Sequence, residues 1–449
     1  MGNIFTEIWE MEDLRKRVLF TLGMLGVYRM GIFVPAPGID RVALGKFLHT
    51  QEQGSMFGLY DMFTGGALEQ YSVFVLGIMP YISASIMMQL LTVMVPSLER
   101  VQKEGQQGRN RIVQYTRYLT LVIAGVQGFL MASGLEHMRV NNDTIVISPG
   151  LGFRIMTMLT VMAGSCFIMW LGEQISDRGV GNGSSILITA GIMARVPASV
   201  ANFYTLVVDF QEINLLQAAI LLMLGFAVVA AIVFVERGQR RIPIQYAKRV
   251  VGRQAYAGQN THLPLKVNTS GVVPPIFASS LLTFPATIST LTSNSLLDWL
   301  SAAFHPGRWL YNLAFFGLIL FFSFFYTAVT FNPVDVAENL KKQGGYIPRI
   351  RPGNETAEYL DRLLTRLTVA GATYLSAVCI LPNLMQTQFH VPITFGGTGV
   401  IILTGVTLDT VAQIEAHLMT KHYDGVVGPK GTRVRNRRGL LTGGRGPAV

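Results

Sequence analysis

Residues 215–235 read LLQAAILLMLGFAVVAAIVFV, a run of 21 positions that contains no Asp, Glu, Lys or Arg. A helix rises about 1.5 Å per residue, so this run can cross the roughly 30 Å hydrocarbon layer of a bilayer. Half of the chain is hydrophobic and only 14% is charged, which argues against a soluble globular protein. The run therefore predicts a membrane-spanning helix.

Nine further stretches have similar length and character, which predicts an all-α polytopic membrane protein with ten spans. Together with the first run, the spans are expected near residues 18–36, 71–95, 118–135, 155–172, 184–203, 215–235, 272–292, 313–331, 367–385 and 395–413.

Basic residues mark one side of the membrane. Most of the 36 Lys and Arg lie in alternate connections and in the terminal segments 1–17 and 414–449. Basic segments resist translocation, so both termini are expected in the cytosol. Residues 1–17 carry no signal-peptide cleavage site and are interpreted as an amphipathic cytosolic stretch. Direct nucleic-acid binding is the alternative interpretation of the basic clusters, but anionic lipid and a cytosolic partner are favoured because no nucleic-acid fold accompanies them.

Ten spans divide into two sets of five, residues 18–203 and 215–413, joined by an external hinge loop at 204–214. An odd number of spans per half makes the second half enter the membrane in the opposite sense. If the halves share a fold, they form an inverted repeat with its axis in the membrane plane. The seam between the halves is then the expected working surface.

The first external loop ends in an apolar segment, at about 56–68, that is too short to span a bilayer. It is either buried in the protein or an interfacial loop helix. Gly65 and Gly66 provide a flexible joint after it, which favours a movable element.

Two cytosolic loops, 237–271 and 332–366, are long, basic and rich in turn residues. In the first, alternation over 242–256 and the run 261–267 predict a projecting hairpin with a turn at 258–260. Such loops often serve only as topology signals. Their size favours a docking platform for a cytosolic partner.

The sequence contains no motif for covalent catalysis, so an enzyme is not expected. No cofactor is expected either, and Cys166 and Cys379 are interpreted as packing residues rather than metal ligands. A secondary transporter of small solutes is the alternative function, but the second, sixth, seventh, eighth and ninth spans contain no Asp, Glu, Lys or Arg with which to hold a solute. Pro80 lies in the second span, and Pro274, Pro275 and Pro285 lie in the seventh. They predict two kinked helices, one in each half, that can move apart from each other.

Several motifs resemble the SecY/Sec61-alpha family of protein-conducting channels, and they cover nearly the whole chain. They are MFTGGAL at 62–68, LGIMPYISASI at 76–86, WLGEQI at 170–175, ERGQRR at 236–241, THLPLKVN at 261–268, FASS at 277–280, NLKK at 339–342 and IRPG at 350–353. The resemblance implies ten helices in two inverted five-helix halves, with an hourglass pore between them.

The resemblance also implies roles for individual residues. The pore ring would comprise Ile78, Ile82, Ser184, Ile188, Ile276 and Ile402, of which Ser184 departs from the aliphatic residue typical of the family. The plug would be the segment at about 56–68 with Met62, Phe63, Gly65 and Gly66, and Phe63 as its seal. The lateral gate would include Ser83, Gln127, Ser280 and Phe284, and cytosolic partners would dock at Arg253, Arg351 and Tyr423.

Members of this family translocate unfolded preproteins and release membrane helices sideways into the bacterial inner membrane. The implied partners are the small subunits SecE and SecG, the motor ATPase SecA, the ribosome, signal peptides with their nascent chains, and membrane lipids. The chain has no site for ATP, so the energy for translocation is expected to come from a partner.

Overall fold

A computed structural model describes residues 11–40, 44–45, 61, 64–137, 139–140, 143–208, 214–246, 249–251, 254–256, 261–289, 308–389 and 397–427. The first half contains α1 (Glu12–Ile32), α2 (Met79–Met94), α3 (Pro96–Lys103), α4 (Gln106–His137), α5 (Leu151–Arg178) and α6 (Gly183–Val208). The second half contains α7 (Leu215–Glu236), α8 (Val273–Ser289), α9 (Trp309–Thr330), α10 (Pro333–Lys342), α11 (Asn354–Phe389) and α12 (Gly397–Val427).

A helix lies at each of the ten predicted spans, which confirms the fold class. Within the described residues, seven helices are long and apolar enough to cross a membrane, and α2 with α3 forms a bent pair with an angle of 101° at the break. The helix α1 is less apolar because Arg15, Lys16 and Arg17 lie in its first turns. The short helices α3 and α10 connect spans at the end of the bundle that carries the basic loops, which we call the basic end.

The second span begins later than expected. We predicted a helix from residue 71, but α2 begins at Met79, and the preceding residues form turns. Tyr71 and Gly77 adopt positive φ angles of 42° and 56°, which interrupt a helix. Pro80 was expected to kink the span; instead it lies in the first turn of α2, where its missing N–H costs no hydrogen bond. Pro274 and Pro275 occupy the first turn of α8 in the same way.

The two halves meet on both sides of one buried core. On one side α2 contacts α8, and on the other α6 contacts α12. The largest buried cluster draws side chains from both halves, and a second cluster lies around Ile145 and Phe153 at the end opposite the basic loops. At that opposite end, strands β1 (Arg139–Val140) and β2 (Asp143–Thr144) pair between α4 and α5.

The basic loops form a small sheet of their own. Strands β3 (Gln239–Tyr246) and β6 (Thr261–Lys266) pair antiparallel, with Gln239 opposite Lys266. Within their connection, β4 (Arg249–Val251) pairs with β5 (Gln254–Tyr256), with Val251 opposite Gln254. The expected turn, 258–260, lies outside the described residues. The hairpin itself therefore forms, with a second, shorter hairpin inside it.

The two basic loops are joined rather than separate. Strand β7 (Gly345–Tyr346), from the second loop, adds to the other edge of β3, which gives the order β6-β3-β7. Beneath this sheet, Ile242 and Leu265 from the first loop pack with Ile347, Leu360 and Leu364 from the second. Burying these apolar side chains, at about 1.5–3 kcal/mol each, makes the two loops one unit.

Candidate functional site

Five of the six predicted ring residues share one buried cluster. They come from four different helices, with one of them directly before α2, and each is at most 6% exposed: Ile78, Ile82, Ile188, Ile276 and Ile402. The backbone N–H of Ile82 donates to the carbonyl of Ile78 at 3.1 Å, so these two side chains lie one helical turn apart on the same face. The structure thus gathers aliphatic side chains from both halves at the seam.

Ser184 does not belong to that cluster. It lies in the first turn of α6, where its hydroxyl donates to Asn182 Oδ1 at 2.7 Å and its backbone N–H donates to the same oxygen at 3.1 Å. Asn182 thus caps α6, and Ser184 is part of the cap. The neighbouring Leu187, which the sequence did not single out, is 1% exposed and does join the cluster.

The segment assigned to the plug is described only at its end, because Met62 and Phe63 lie outside the described residues. Residues 64–70 form a compact turn, in which Gly65 and Gly66 adopt φ angles of 68° and 92°. A side chain at Gly65 would place its Cβ 2.8 Å from the Cα of Gly191 in α6. Glycine at position 65 therefore lets the turn lie directly against α6.

Four polar side chains hold this turn, and sequence reasoning assigned no role to them. They are Tyr28 and Arg29 of α1, Asp61, and Arg195 of α6. Asp61 is the only acidic residue in the apolar segment at 56–68, and Arg195 is the only charged residue in α6. Ionisable residues in such apolar surroundings usually have a partner and a function, and that signal could have revealed the pair.

The predicted lateral gate lies where α2 contacts α8. The hydroxyl of Ser280 in α8 donates to Met79 Sδ in α2 at 3.7 Å, which is a weak hydrogen bond across the seam. Ser83 in α2 and Gln127 in α4 are half-buried, and α4 contacts both α2 and α8. Phe284 belongs to α8, and its side chain lies outside the described residues.

Among the predicted docking residues, Arg351 lies at the basic end. The Arg351 side chain is 88% exposed, and its guanidinium lies 3.9 Å from the Glu355 carboxylate, a distance typical of a weak surface pair. The carbonyl of Arg351 accepts a hydrogen bond from Thr356 Oγ1 at 2.8 Å, which fixes its backbone at the start of α11. Arg253 lies outside the described residues, and Tyr423 belongs to α12 without a described side chain.

No group of three or more His, Cys, Asp or Glu side chains that could hold a metal occurs in the part of the chain that the structure describes. Cys379 is buried in the large cluster and Cys166 is half-buried on α5. Both thiols are free in the structure.

Comparisons with known proteins identify relatives over almost the whole length of the chain. The SecY family model matches residues 72–411. The protein translocase subunit SecY of Escherichia coli (strain K12) is 48% identical over 417 residues, covering 92% of this chain and 93% of the relative. The subunit of the same name from Aquifex aeolicus (strain VF5) is 45% identical over 429 residues, covering 95% and 100%.

Solved structures share the fold at low identity. A protein-conducting channel superimposes with a TM-score of 0.62 at 16% identity, covering 90% of this chain and 92% of that one. Sec61 in the canine ribosome–channel complex from the endoplasmic reticulum has a TM-score of 0.59 at 16% identity, with coverage of 90% and 92%.

Proposed function

Since the chain belongs to the SecY family, we infer that it is the channel-forming subunit of a protein translocase. It conducts unfolded preproteins across the bacterial inner membrane and releases membrane helices sideways through a lateral gate. The alternative, a secondary transporter of small solutes, has no support among the relatives, which are translocase subunits.

The observation that most strongly supports a channel is that five isoleucines from both halves meet at the seam. A narrow apolar constriction excludes ions because water does not fill it. Aliphatic side chains make no specific hydrogen bonds, so they can separate around a passing polypeptide of any sequence and close behind it. The ring we propose therefore contains Ile78, Ile82, Ile188, Ile276 and Ile402, while Ser184 lies at its edge.

The remaining assignments follow from the same premise. The segment at about 56–68 is the plug; it includes Met62, has Phe63 as its seal, and has Gly65 and Gly66 as its joint. Both termini lie in the cytosol, and the loop at 204–214 is the hinge between the halves, residues 18–203 and 215–413. SecE clamps the halves and SecG is a second small subunit. SecA or the ribosome docks at Arg253 and Arg351 of the basic loops and at Tyr423 of the C-terminal segment.

A stalled translocation intermediate tests the proposed path. A photoreactive residue in place of Ile276 or Ile402 is expected to cross-link to an arrested secretory chain, because these side chains would touch it throughout its passage. The same residue in place of Phe226 on α7, which is 79% exposed and faces away from the core, serves as the control. Cross-links at position 226 but at neither ring position would contradict the path.

The lateral gate has its own test. Cysteines in place of Met79 and Ser280, in a variant without Cys166 and Cys379, can be joined by a short bismaleimide because the native side chains are in contact across the seam. The linked protein is expected to lose the release of membrane helices into lipid, since α2 and α8 can no longer separate. Each single-cysteine variant with the same reagent is the control. Undiminished release after complete linking would place the exit elsewhere.

A further inference from the structure

We propose that the ion pair between Asp61 and Arg195 is a polar latch that holds the end of the plug segment, Asp61 and residues 64–69, against α6 while the channel is closed. This proposal rests on the proposed channel function and adds to it a residue pair outside the ring. The latch lies at the end of the bundle opposite the basic loops, where α1 is connected to α2 and α6 to α7.

Asp61 organises the turn that follows the plug. Its Oδ1 accepts the backbone N–H groups of Leu68 at 2.9 Å and Glu69 at 3.2 Å. Its carbonyl accepts the backbone N–H of Gly66 at 3.1 Å and the Thr64 hydroxyl at 3.2 Å. A carboxylate that binds several N–H groups is held in one orientation. Asp61 is therefore tied by hydrogen bonds to the turn at residues 64–69.

Arg195 ties this turn to a distant helix. Its guanidinium pairs with the second carboxylate oxygen of Asp61, Oδ2, and its Nη2 lies 3.4 Å from Glu69 Oε2. Asp61 is 5% exposed, so the pair is largely screened from water on the acidic side. The ion pair is thus a connection between α6 and the segment that leads out of the plug.

The first helix holds the same turn from another side. Arg29 Nη1 donates to the carbonyl of Gly65 at 2.8 Å, and the Tyr28 hydroxyl donates to the carbonyl of Thr64 at 3.3 Å. These bonds orient the turn but do not neutralise a buried charge. The negative charge of Asp61 is neutralised by Arg195. This pair is formed by two side chains, whereas Tyr28 and Arg29 bind only backbone carbonyls.

An ion pair suits a contact that must open repeatedly. The cost of removing two charges from water nearly cancels their attraction, so a buried pair adds little net stability. When the plug leaves, each charge can be hydrated, and the released state carries no penalty. Removing Arg195 takes the cation away from the buried carboxylate of Asp61, which selectively destabilises the closed state. Removing Asp61 leaves Arg195 with only its longer contact to Glu69, so the turn is held less firmly.

Ion leak through the resting channel is the measurement. The complex with its native companion subunits is reconstituted into vesicles, and Arg195→Gln or Asp61→Asn is expected to raise the leak about tenfold or more. Asn at position 61 keeps the acceptor for the backbone N–H groups, so the turn is retained. Arg195→Lys keeps the charge and is expected to leak nearly as little as the wild type.

A double variant measures the coupling directly. Asp61→Asn with Arg195→Gln removes both charges together, and its leak is expected to be smaller than the product of the two single effects. Multiplying effects would mean that the two residues act independently, and the latch would be wrong.

A second ion pair provides the matched control. Arg154 Nη2 lies 2.6 Å from Glu136 Oε2, also at the end opposite the basic loops, and this pair joins α4 to α5. Its side chains are 31% and 7% exposed, close to the 27% and 7% of Arg195 and Asp61. Arg154→Gln is expected to leave the ion leak unchanged. If it raises the leak as much as Arg195→Gln does, the effect is a general loss of stability and the latch is wrong.

The same assay separates the latch from the function on which it rests. A ring variant, Ile82→Asn, is measured alongside. If it raises the leak while the Asp61 and Arg195 variants do not, the latch fails and the channel function stands. If neither raises the leak, the ring and the proposed function fail together.

Discussion

Replacing Ile82 with Asn is expected to make the resting channel leak ions about tenfold or more and to permit export of proteins with defective signal sequences. Ile82 is 6% exposed within the large cluster, so an amide there would be buried among aliphatic side chains. A buried polar group without a partner costs about 1–3 kcal/mol, and this cost falls on the closed state. An opened or hydrated ring satisfies the amide with water, so the balance moves toward open channels.

The same reasoning applies to Ile402, which belongs to α12 in the second half of the chain and is fully buried. Ile402→Asn is expected to act in the same direction, because the ring draws on both halves. Conductance of planar bilayers that contain the purified complex measures the leak, and export of a reporter with a weakened signal sequence measures the loss of selectivity.

A control variant separates ring opening from general destabilisation. Ile319 on α9 is also fully buried in the large cluster, but α9 carries no proposed ring residue. Ile319→Asn is expected to lower stability by a similar amount without raising the leak. Unchanged leak and unchanged export in both ring variants would remove the ring from the proposed mechanism.

The second large effect concerns the basic end. Arg351→Glu is expected to reduce export more than tenfold while the protein still assembles, because reversing one charge at a docking site breaks a pair and adds repulsion. The fold should tolerate the change: the side chain is 88% exposed, and its ion pair with Glu355 is a weak surface contact. Export into inverted membrane vesicles and binding of the motor ATPase are the two measurements.

Lys342 on α10 supplies the matched control. It is an exposed basic residue of the same loop, paired with Glu338 at 3.3 Å one helical turn earlier. Lys342→Glu changes the net charge of the loop by the same amount, and export is expected to stay within about twofold of the wild type. Normal export in the Arg351 variant, or an equal loss in the Lys342 variant, would show that docking depends on total charge rather than on Arg351.

Local patterns in the sequence were sufficient for much of the fold. Each predicted span contains a helix, because a long apolar run in a bilayer must satisfy its backbone hydrogen bonds internally. Alternation of apolar and polar residues also predicted the hairpin that β3 and β6 form. The predicted start of the second span, residue 71, was wrong because hydropathy does not distinguish a helix from an apolar turn. The positive φ angles of Tyr71 and Gly77 place the start of α2 after them.

The pairing of distant residues was beyond these patterns. Nothing in the sequence of the basic loops indicated that Gly345 and Tyr346 extend β3 into one shared sheet. The gathering of five isoleucines was expected only through the resemblance to a family, since an isoleucine in a span otherwise faces lipid or neighbouring helices. Ser184 was assigned to the ring by the same resemblance, and its contacts with Asn182 Oδ1 could not be predicted from it.

The sequence alone therefore determined the positions of ten helices of a polytopic membrane protein and predicted the cytosolic side for its basic loops. Both follow from the free energy of moving individual segments out of water, a quantity that depends on local composition. Only the tertiary structure placed Asp61 beside Arg195 and assembled an aliphatic cluster from both halves. Contacts of that kind depend on how helices pack across the seam, and packing depends on the shapes of side chains that are far apart in the chain.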